Sequence, residues 1–292
     1  MSHRAAVLAM IAVTLMWSIA GVVSRHIEAA RGFEVTFWRS FFNAVAMLVM
    51  LFALRGPAAL ARSLRDGGAA LWISGVCWAV MYTAFMLALT LTTVANVLVL
   101  IALTPLITAL AARFALGHRL APRTWGAIAL AGAGIVWMYA REVSGAEPRH
   151  LLGMAIGLAV PLAAALNWTL MQHNRGAAQQ DMLPAVLIGA ALSALVTLPP
   201  ALPFAATRGD LGLLALLGVV QLAIPCLLAV RVARWLPAPE LSLLGLLEVI
   251  FGVLWAWLGA NEAPSANVLG GGLLVIAALA GNELMALRER RA

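Results

Sequence analysis

Long apolar runs alternate with short polar segments along almost the whole chain. A helix of about 20 apolar residues spans a hydrocarbon core roughly 30 Å thick. Ten runs approach this length, near residues 5–26, 33–54, 69–91, 93–115, 122–140, 151–173, 182–204, 211–234, 238–258 and 266–287. The pattern predicts an all-α membrane protein with ten transmembrane helices, because the connections between the runs are too short to hold a soluble domain.

Two junctions in this pattern are very short, at Thr92 and near residues 237–239. A single helix over residues 69–115 would be about 70 Å long at about 1.5 Å per residue, more than twice the thickness of the hydrocarbon core. We therefore expect the chain to turn at both junctions.

Composition agrees with a membrane location. Hydrophobic residues make up 63% of the chain and charged residues 11%, whereas about a quarter of the residues of a soluble domain are charged. The first span lacks a small-residue cleavage site after a short apolar core, so we interpret it as a retained helix and not as a signal peptide. Cys77 and Cys226 lie inside spans, and we predict that both are buried without a disulfide.

The formal net charge is +7, and all nineteen basic residues are arginines. With the N-terminus in the cytoplasm, thirteen of them fall on the cytoplasmic side of the predicted spans, five on the other side, and Arg39 inside the second span. This distribution fits the positive-inside rule with both termini cytoplasmic. It predicts a multi-pass protein of a bacterial-type inner (plasma) membrane. The net charge reports topology, so we expect the lipid bilayer and no nucleic acid as a partner.

Ten spans divide into two sets of five, and an odd number per set inverts the second set in the membrane. Two similarities support a split into residues 1–145 and 146–292. MWSIAGVVSR at 16–25 resembles NWTLMQHNR at 167–175, and a shift of 144 residues places the fourth and fifth spans on the ninth and tenth. Secondary transporters often contain inverted repeats, with the substrate site between them. We therefore predict two inverted five-helix repeats around a central cavity.

Two longer stretches carry a resemblance to a known family. FMLALTLTTVANVLVLIALTPLITAL at 85–110 and RVARWLPAPELSLLGLLEVIFGVLWAWLGANEAP at 231–264 resemble the two repeats of the EamA-type transporters, in the drug/metabolite transporter superfamily. The arginine of FEVTFWRSFFNAV and the tryptophan of LMWSIAGVVSR are also similar. Within the family, the chain looks most like the aromatic amino acid exporters. The resemblance implies a secondary transporter that exports small organic metabolites, with aromatic or bulky apolar amino acids as substrates.

The sequence departs from this family at one position. The family often has Glu-Pro in the ninth span, whereas here Glu248 is followed by Val249, and the partner repeat carries Thr104-Pro105. We therefore expect a proline kink in the fourth helix and not in the ninth.

The candidate substrate-binding residues are polar or aromatic side chains inside the spans. They are Trp17, Arg39, Asn43, Trp78, Tyr82, Asn96, Trp168 and Gln221. The aromatic members lie well within the spans instead of at the interfaces where membrane tryptophans collect, and they offer surfaces for stacking. The amides offer hydrogen bonds. Packing between helices is the alternative role for these residues.

Arg39 and Glu248 are the two charged candidates. An arginine within a span is costly and usually paired or hydrated. Arg39 would either bind a substrate carboxylate with its planar donor fork or clamp a backbone carbonyl or Glu248. Glu248 would either couple transport to protons or form a hydrogen-bonded part of a helix interface, since a buried carboxylate pairs with a cation or takes up a proton.

The sequence lacks the residues that other classes of function require. The spans contain no Ser-His pair, paired aspartates or His/Glu metal cluster, and the chain has no nucleotide-binding motif. We predict that the protein is not an enzyme and binds no cofactor or metal, and we expect a monomer. Carriers of other metabolites or drugs, and a solute channel, remain alternatives, because polar stripes line pores as well as carrier sites.

Overall fold

The computed structural model describes residues 2–116, 122–140, 147–177, 181–232, 235–236, 244–245 and 247–289. The regular elements in these ranges are helices. In the first half they are α1 (His3–Ser18), α2 (Ala20–Ser24), α3 (Phe33–Arg55), α4 (Pro57–Asp66), α5 (Ala69–Leu91), α6 (Val94–Ile101), α7 (Thr104–Leu116) and α8 (Pro122–Ala140). In the second half they are α9 (Pro148–Gly157), α10 (Ala159–Ala177), α11 (Leu183–Ala201), α12 (Arg208–Leu216), a π-helical segment (Leu217–Ala223), α13 (Ile224–Val232), α14 (Leu247–Ala260) and α15 (Ala266–Glu289).

Six helical stretches are long and apolar enough to span a membrane. They are His3–Ser24, Phe33–Arg55, Ala69–Leu91, Pro148–Met171, Leu183–Ala201 and Arg208–Val232. Four shorter apolar stretches follow the same order as the remaining predicted spans, at Val94–Thr108, Trp125–Gly134, Leu247–Ala260 and Ala266–Asn282. Most of the start of the ninth predicted span and the predicted repeat boundary at residues 145 and 146 lie outside the described residues. The complete ten-helix arrangement therefore stays a prediction.

The third and fourth spans separate where the sequence indicated. α5 ends at Leu91, and the Thr93 side chain accepts a hydrogen bond of 3.3 Å from the backbone N–H of Asn96 at the start of α6. This confirms the predicted turn at Thr92. A second break, at residues 102–103, comes directly before Thr104, because proline at the next position cannot donate a helical hydrogen bond. The predicted kink of the fourth helix is confirmed, while α14 runs unbroken from Leu247.

The amphipathic helix α4 was not predicted. Gly56 has a φ of 78°, a conformation that glycine adopts readily, and a proline begins the helix after it. Leu60 is buried against the bundle, while Arg62 and Arg65 are exposed. Next to this helix, Arg55 forms an ion pair with Asp181 at the start of the seventh span. We call this part of the molecule the Arg55 end.

The helices of the two halves pack largely against each other. α3 packs on α11, α5 on α10 and α11, α6 on α14, α8 on α15, and α1 on α13. Close approach depends on small residues: a Cβ at Gly189 would lie 3.0 Å from the carbonyl oxygen of Gly75. Counted as spans, the second pairs with the seventh, the fourth with the ninth, the fifth with the tenth, the first with the eighth and the third with the sixth. Exchanging the halves leaves these five pairs unchanged and turns the remaining contact, of the third span with the seventh, into that of the eighth with the second, which is also present between the π-helical segment and α3. The two-fold relation itself stays a prediction.

Candidate functional site

A cavity of about 260 Å³ lies between the two halves of the chain. Its described walls come from α1, α3, α5, the α6–α7 break, α10, the π-helical segment, α13 and α14. Seven of the nine predicted site residues line it: Trp17, Arg39, Trp78, Tyr82, Trp168, Gln221 and Glu248. The hydropathy pattern therefore located side chains that the fold brings together from both halves.

An aromatic wall forms one side of the cavity. Trp78 and Tyr82 are one helical turn apart on α5, with ring centroids separated by 5.5 Å. Trp168 of α10 meets Trp78 edge to face, at a centroid distance of 6.2 Å and an interplanar angle of 80°. Phe85, which was not among the predicted site residues, continues the wall along α5. These faces suit an apolar or aromatic group, because ring pairs favour edge-to-face and offset contacts.

Arg39 lines the cavity although it is only 1% exposed, and hydrogen bonds to the protein hold its side chain in place. Its Nε and Nη2 donate to Oε1 of Gln221 at 3.2 and 2.8 Å, and Nη1 donates to the backbone oxygen of Tyr82 at 3.4 Å. The guanidinium carbon also lies 5.4 Å from the centroid of the Phe85 ring. A guanidinium has five N–H donors, so these bonds leave two for a ligand. The clamp on a backbone carbonyl and the binding role are therefore compatible.

The π-helical segment presents Gln221 to Arg39. Its amide Nε2 donates to the backbone oxygen of Trp17 at 3.1 Å, so Gln221 joins α1 to α3 through the second half of the chain. The segment lies very close to α3, since a Cβ at Gly218 would be 2.7 Å from the backbone oxygen of Arg39. π-helical turns recur at functional sites. Sequence reasoning missed this turn, and its signal is Pro225, which has no N–H for the carbonyl of residue 221.

Glu248 contrasts with Arg39. It lines the cavity on α14 and is partly exposed, and within the described part of the chain it forms no hydrogen bond or ion pair. Its carboxylate does interact electrostatically with Arg39 across the cavity. A hydrogen-bonded role in a helix interface would require partners that the described residues do not provide.

Asn43 and Asn96 are buried but do not line the cavity. Asn43 lies where α3 meets the π-helical segment, next to the position of Gly218. Nδ2 of Asn96 donates to Oγ1 of Thr92 at 3.1 Å, at the start of α6. Both positions fit helix packing, and substrate binding by these two residues stays a prediction.

The two cysteines are free and buried, as predicted. Cys226 also lines the cavity, where its Sγ accepts a hydrogen bond of 3.5 Å from the hydroxyl of Tyr82. Cys77 of α5 is not part of the cavity lining. The chain therefore carries one native thiol at the site and one away from it.

Comparison with known proteins agrees with this architecture. Residues 4–140 match the model of the EamA-like transporter family, so this part of the chain is similar to that family. The six helices that are long and apolar enough to span a membrane agree with this similarity. No protein of curated function matches the chain.

Similarity to solved structures extends over both halves. A crystal structure described only as that of a protein is similar over 98% of this chain and 99% of its own, with a TM-score of 0.63 and 19% sequence identity. At this identity the likeness concerns the fold alone. Both halves of the chain therefore have a counterpart of similar fold in a solved structure.

Proposed function

We propose that the chain is a secondary transporter of the EamA-like family that moves small organic solutes by alternating access between its two halves. The proposed substrates are aromatic or bulky apolar amino acids, and the proposed direction is export from the cytoplasm. The observation that carries this proposal is the cavity, which joins an aromatic wall to Arg39 and Glu248 on separate helices. The family match over residues 4–140 supports transport.

The cavity fits the chemistry of a zwitterionic amino acid. The two N–H groups of Arg39 that form no bond to the described residues match the two oxygens of a carboxylate. Glu248 provides a counter-charge for the ammonium group, and the wall of Trp78 and Trp168 contacts the side chain. The volume of about 260 Å³ is near the lower end of the roughly 300–1,000 Å³ typical of small-molecule sites.

Glu248 is the proposed coupling residue. A proton or the ammonium group of the substrate neutralises its carboxylate, and the two compete for it. Because one must leave before the other binds, outward movement of the substrate is linked to inward movement of a proton. The partial exposure of Glu248 to the cavity and its lack of a described hydrogen-bond partner support this role.

Transport by purified protein in liposomes tests the proposal. Uptake of labelled tryptophan, phenylalanine and threonine is measured with and without an imposed pH gradient, against protein-free liposomes. We expect saturable flux that favours the two aromatic amino acids and increases with the gradient. Equal flux of threonine would contradict the proposed substrates, and flux that rises linearly with concentration would indicate a channel.

A further inference from the structure

A network of side chains joins the two halves at the end of the molecule opposite the Arg55 end. Arg25, which follows α2, forms an ion pair with Glu262 after α14, with 2.7 Å between Nε and Oε2. Its Nη1 and Nη2 donate to the backbone oxygens of Leu89 and Thr92 at 2.7 and 2.9 Å. Oε1 of Glu262 accepts a hydrogen bond of 2.6 Å from the backbone N–H of Val94. We call this region the Arg25 end.

Each charge of the network lies at the helix terminus that favours it. The oxygens of Leu89 and Thr92 belong to the last turn and C-cap of α5, where unpaired carbonyls attract a cation. The N–H of Val94 is at the first turn of α6, where a carboxylate is favourable. Arg25 and Glu262 therefore bridge the end of α5 and the start of α6, and they connect both helices to the residues that follow α14.

Three close contacts lie beneath the network. A Cβ at Gly21 would collide with Val94, one at Gly259 would lie 2.6 Å from a methyl group of Val22, and one at Gly252 would collide with Leu98. These contacts bring α2, α6 and α14 together without a gap. The three helices therefore converge directly below the ion pair.

The network covers the cavity from one side. Along α5, Phe85 of the cavity wall is about 6 Å from Leu89, and Trp17 is about 12 Å from Arg25 at about 1.5 Å per residue. In the other direction the lining continues to Met10 and Thr108, which are each more than about 20 Å along their helices from this end. A substrate in the cavity that moves towards the Arg25 end meets the ion pair and the contacts below it.

Other contacts between the halves at this end are deeper and more numerous. Asp210, 1% exposed, accepts hydrogen bonds from the backbone N–H groups of Glu28, Ala29 and Ala30 at 2.8 to 3.1 Å. Glu34, 4% exposed, accepts from Ala205 and Ala206. The side chains of Arg25 and Glu262 are 28% and 20% exposed. Because exposed ion pairs are weak, the Arg25–Glu262 contact separates more easily than the buried contacts of Asp210 and Glu34.

We propose that Arg25 and Glu262 form a gate that closes the cavity at the Arg25 end, and that separation of this pair is a step of the transport cycle. The contacts of Asp210 and Glu34 then hold the two halves together while the gate opens. The inference rests on the proposed transport function, because alternating access requires each end to open in turn. It assigns a role in the cycle to two residues that do not line the cavity.

The native thiols provide the test. In a Cys77→Ser background, Cys226 is the remaining cysteine and lines the cavity. A membrane-impermeant methanethiosulfonate is added to right-side-out or to inside-out vesicles, and labelling rates are compared for Glu262→Gln and for the matched control Glu28→Gln. Right-side-out vesicles expose the Arg25 end in the predicted orientation. There we expect Glu262→Gln to increase the labelling rate about fivefold, corresponding to about 1 kcal/mol for an exposed pair, and Glu28→Gln to leave it unchanged.

A second variant keeps the test decisive where the thiol is unreactive. Arg25→Cys with Glu262→Cys, in a background of Cys77→Ser and Cys226→Ala, is treated with a short bifunctional methanethiosulfonate. We expect flux to stop on crosslinking and to return on reduction, whereas a monofunctional reagent leaves it near the value of the same untreated variant. Full flux with the crosslink in place, or labelling of Glu262→Gln at the same measurable rate as Glu28→Gln, would show that the contact is static. The labelling assay needs no substrate, so a wrong substrate proposal and a wrong gate give different results.

Discussion

The two charged side chains of the cavity are held in opposite ways. Arg39 is 1% exposed and donates three hydrogen bonds to groups of the protein. Glu248 is partly exposed and has no hydrogen-bond or ion-pair partner among the described residues. A satisfied, fully buried guanidinium keeps its position and its charge, whereas a carboxylate without a partner is free to change its charge. The α3 wall is therefore preorganised for binding, and the α14 wall is responsive.

The strongest test of this comparison removes the fixed charge. We expect Arg39→Gln to lower kcat/KM for tryptophan at least about 100-fold, or about 3 kcal/mol, because the substrate carboxylate then enters a buried site without its cation. Initial rates of uptake into liposomes measure the change. Arg39→Lys should restore part of the activity, since it keeps the charge and loses the planar fork.

The matched control for this variant is Arg31→Gln, because Arg31 is exposed and outside the cavity. It should transport like the parent protein. Circular dichroism and gel filtration in detergent check that each variant is folded. An Arg39→Gln protein with the parental KM for tryptophan would contradict the binding role and leave Arg39 as a clamp on Tyr82 and Gln221.

Removal of the responsive charge should act mainly on coupling, with a smaller loss of binding because the ammonium group of the substrate loses its counter-charge. In Glu248→Gln we expect the stimulation of tryptophan transport by a pH gradient to be lost, a fall of about 30-fold within the 5–150-fold range of typical coupling energies. Exchange of labelled for unlabelled tryptophan without a gradient should persist. The ratio of flux with and without the gradient measures the effect.

Glu28→Gln serves as the control for coupling, since Glu28 is exposed and its backbone, not its carboxylate, contacts Asp210. It should retain the full response to the gradient. If the Glu248→Gln protein also retained the response to the pH gradient, Glu248 would have no role in coupling. The α14 wall would then be no more responsive than the α3 wall.

Gln221 connects the fixed wall to the second half of the chain. In Gln221→Leu we expect KM to rise about tenfold with kcat little changed, because loss of hydrogen bonds to a charged group costs about 1.5 kcal/mol. The rise should be similar for tryptophan, phenylalanine and leucine, since Gln221 acts through Arg39. A rise confined to one of these substrates would mean that Gln221 contacts the substrate directly.

Hydropathy and residue type predicted much of this molecule, and the misses have a physical cause. Apolar runs located the helices, Thr92 and Pro105 marked the turn and the kink, and seven of the nine polar or aromatic residues selected inside the spans line the cavity. These signals show which residues avoid water or lipid. They do not show helix rotation, so Asn43 and Asn96 could not be separated from lining residues.

Two further local features, the π-helical turn and helix α4, were not predicted. The bond between Arg39 and Gln221 joins residues 182 positions apart, and it depends on a π-helical turn that rotates every following side chain relative to a regular α-helix. The amphipathic helix α4 was missed because it is short and polar compared with the apolar runs on either side. The hydropathy pattern places the π-helical turn and α4 within or beside predicted spans, but only the fold shows which residues they contact.

The smallest expected effect concerns the aromatic wall, which contains neither Arg39 nor Glu248. In Trp168→Leu we expect KM for tryptophan and phenylalanine to rise about threefold, or about 0.7 kcal/mol, since an aromatic pair contributes roughly 0.5–1.5 kcal/mol beyond its buried area. KM for leucine should stay the same. Trp72→Leu is the control, because Trp72 is on α5 outside the cavity and 48% exposed. An equal change for leucine would assign Trp168 to packing of α10 against α5, and selectivity would then depend on cavity volume instead of ring contacts.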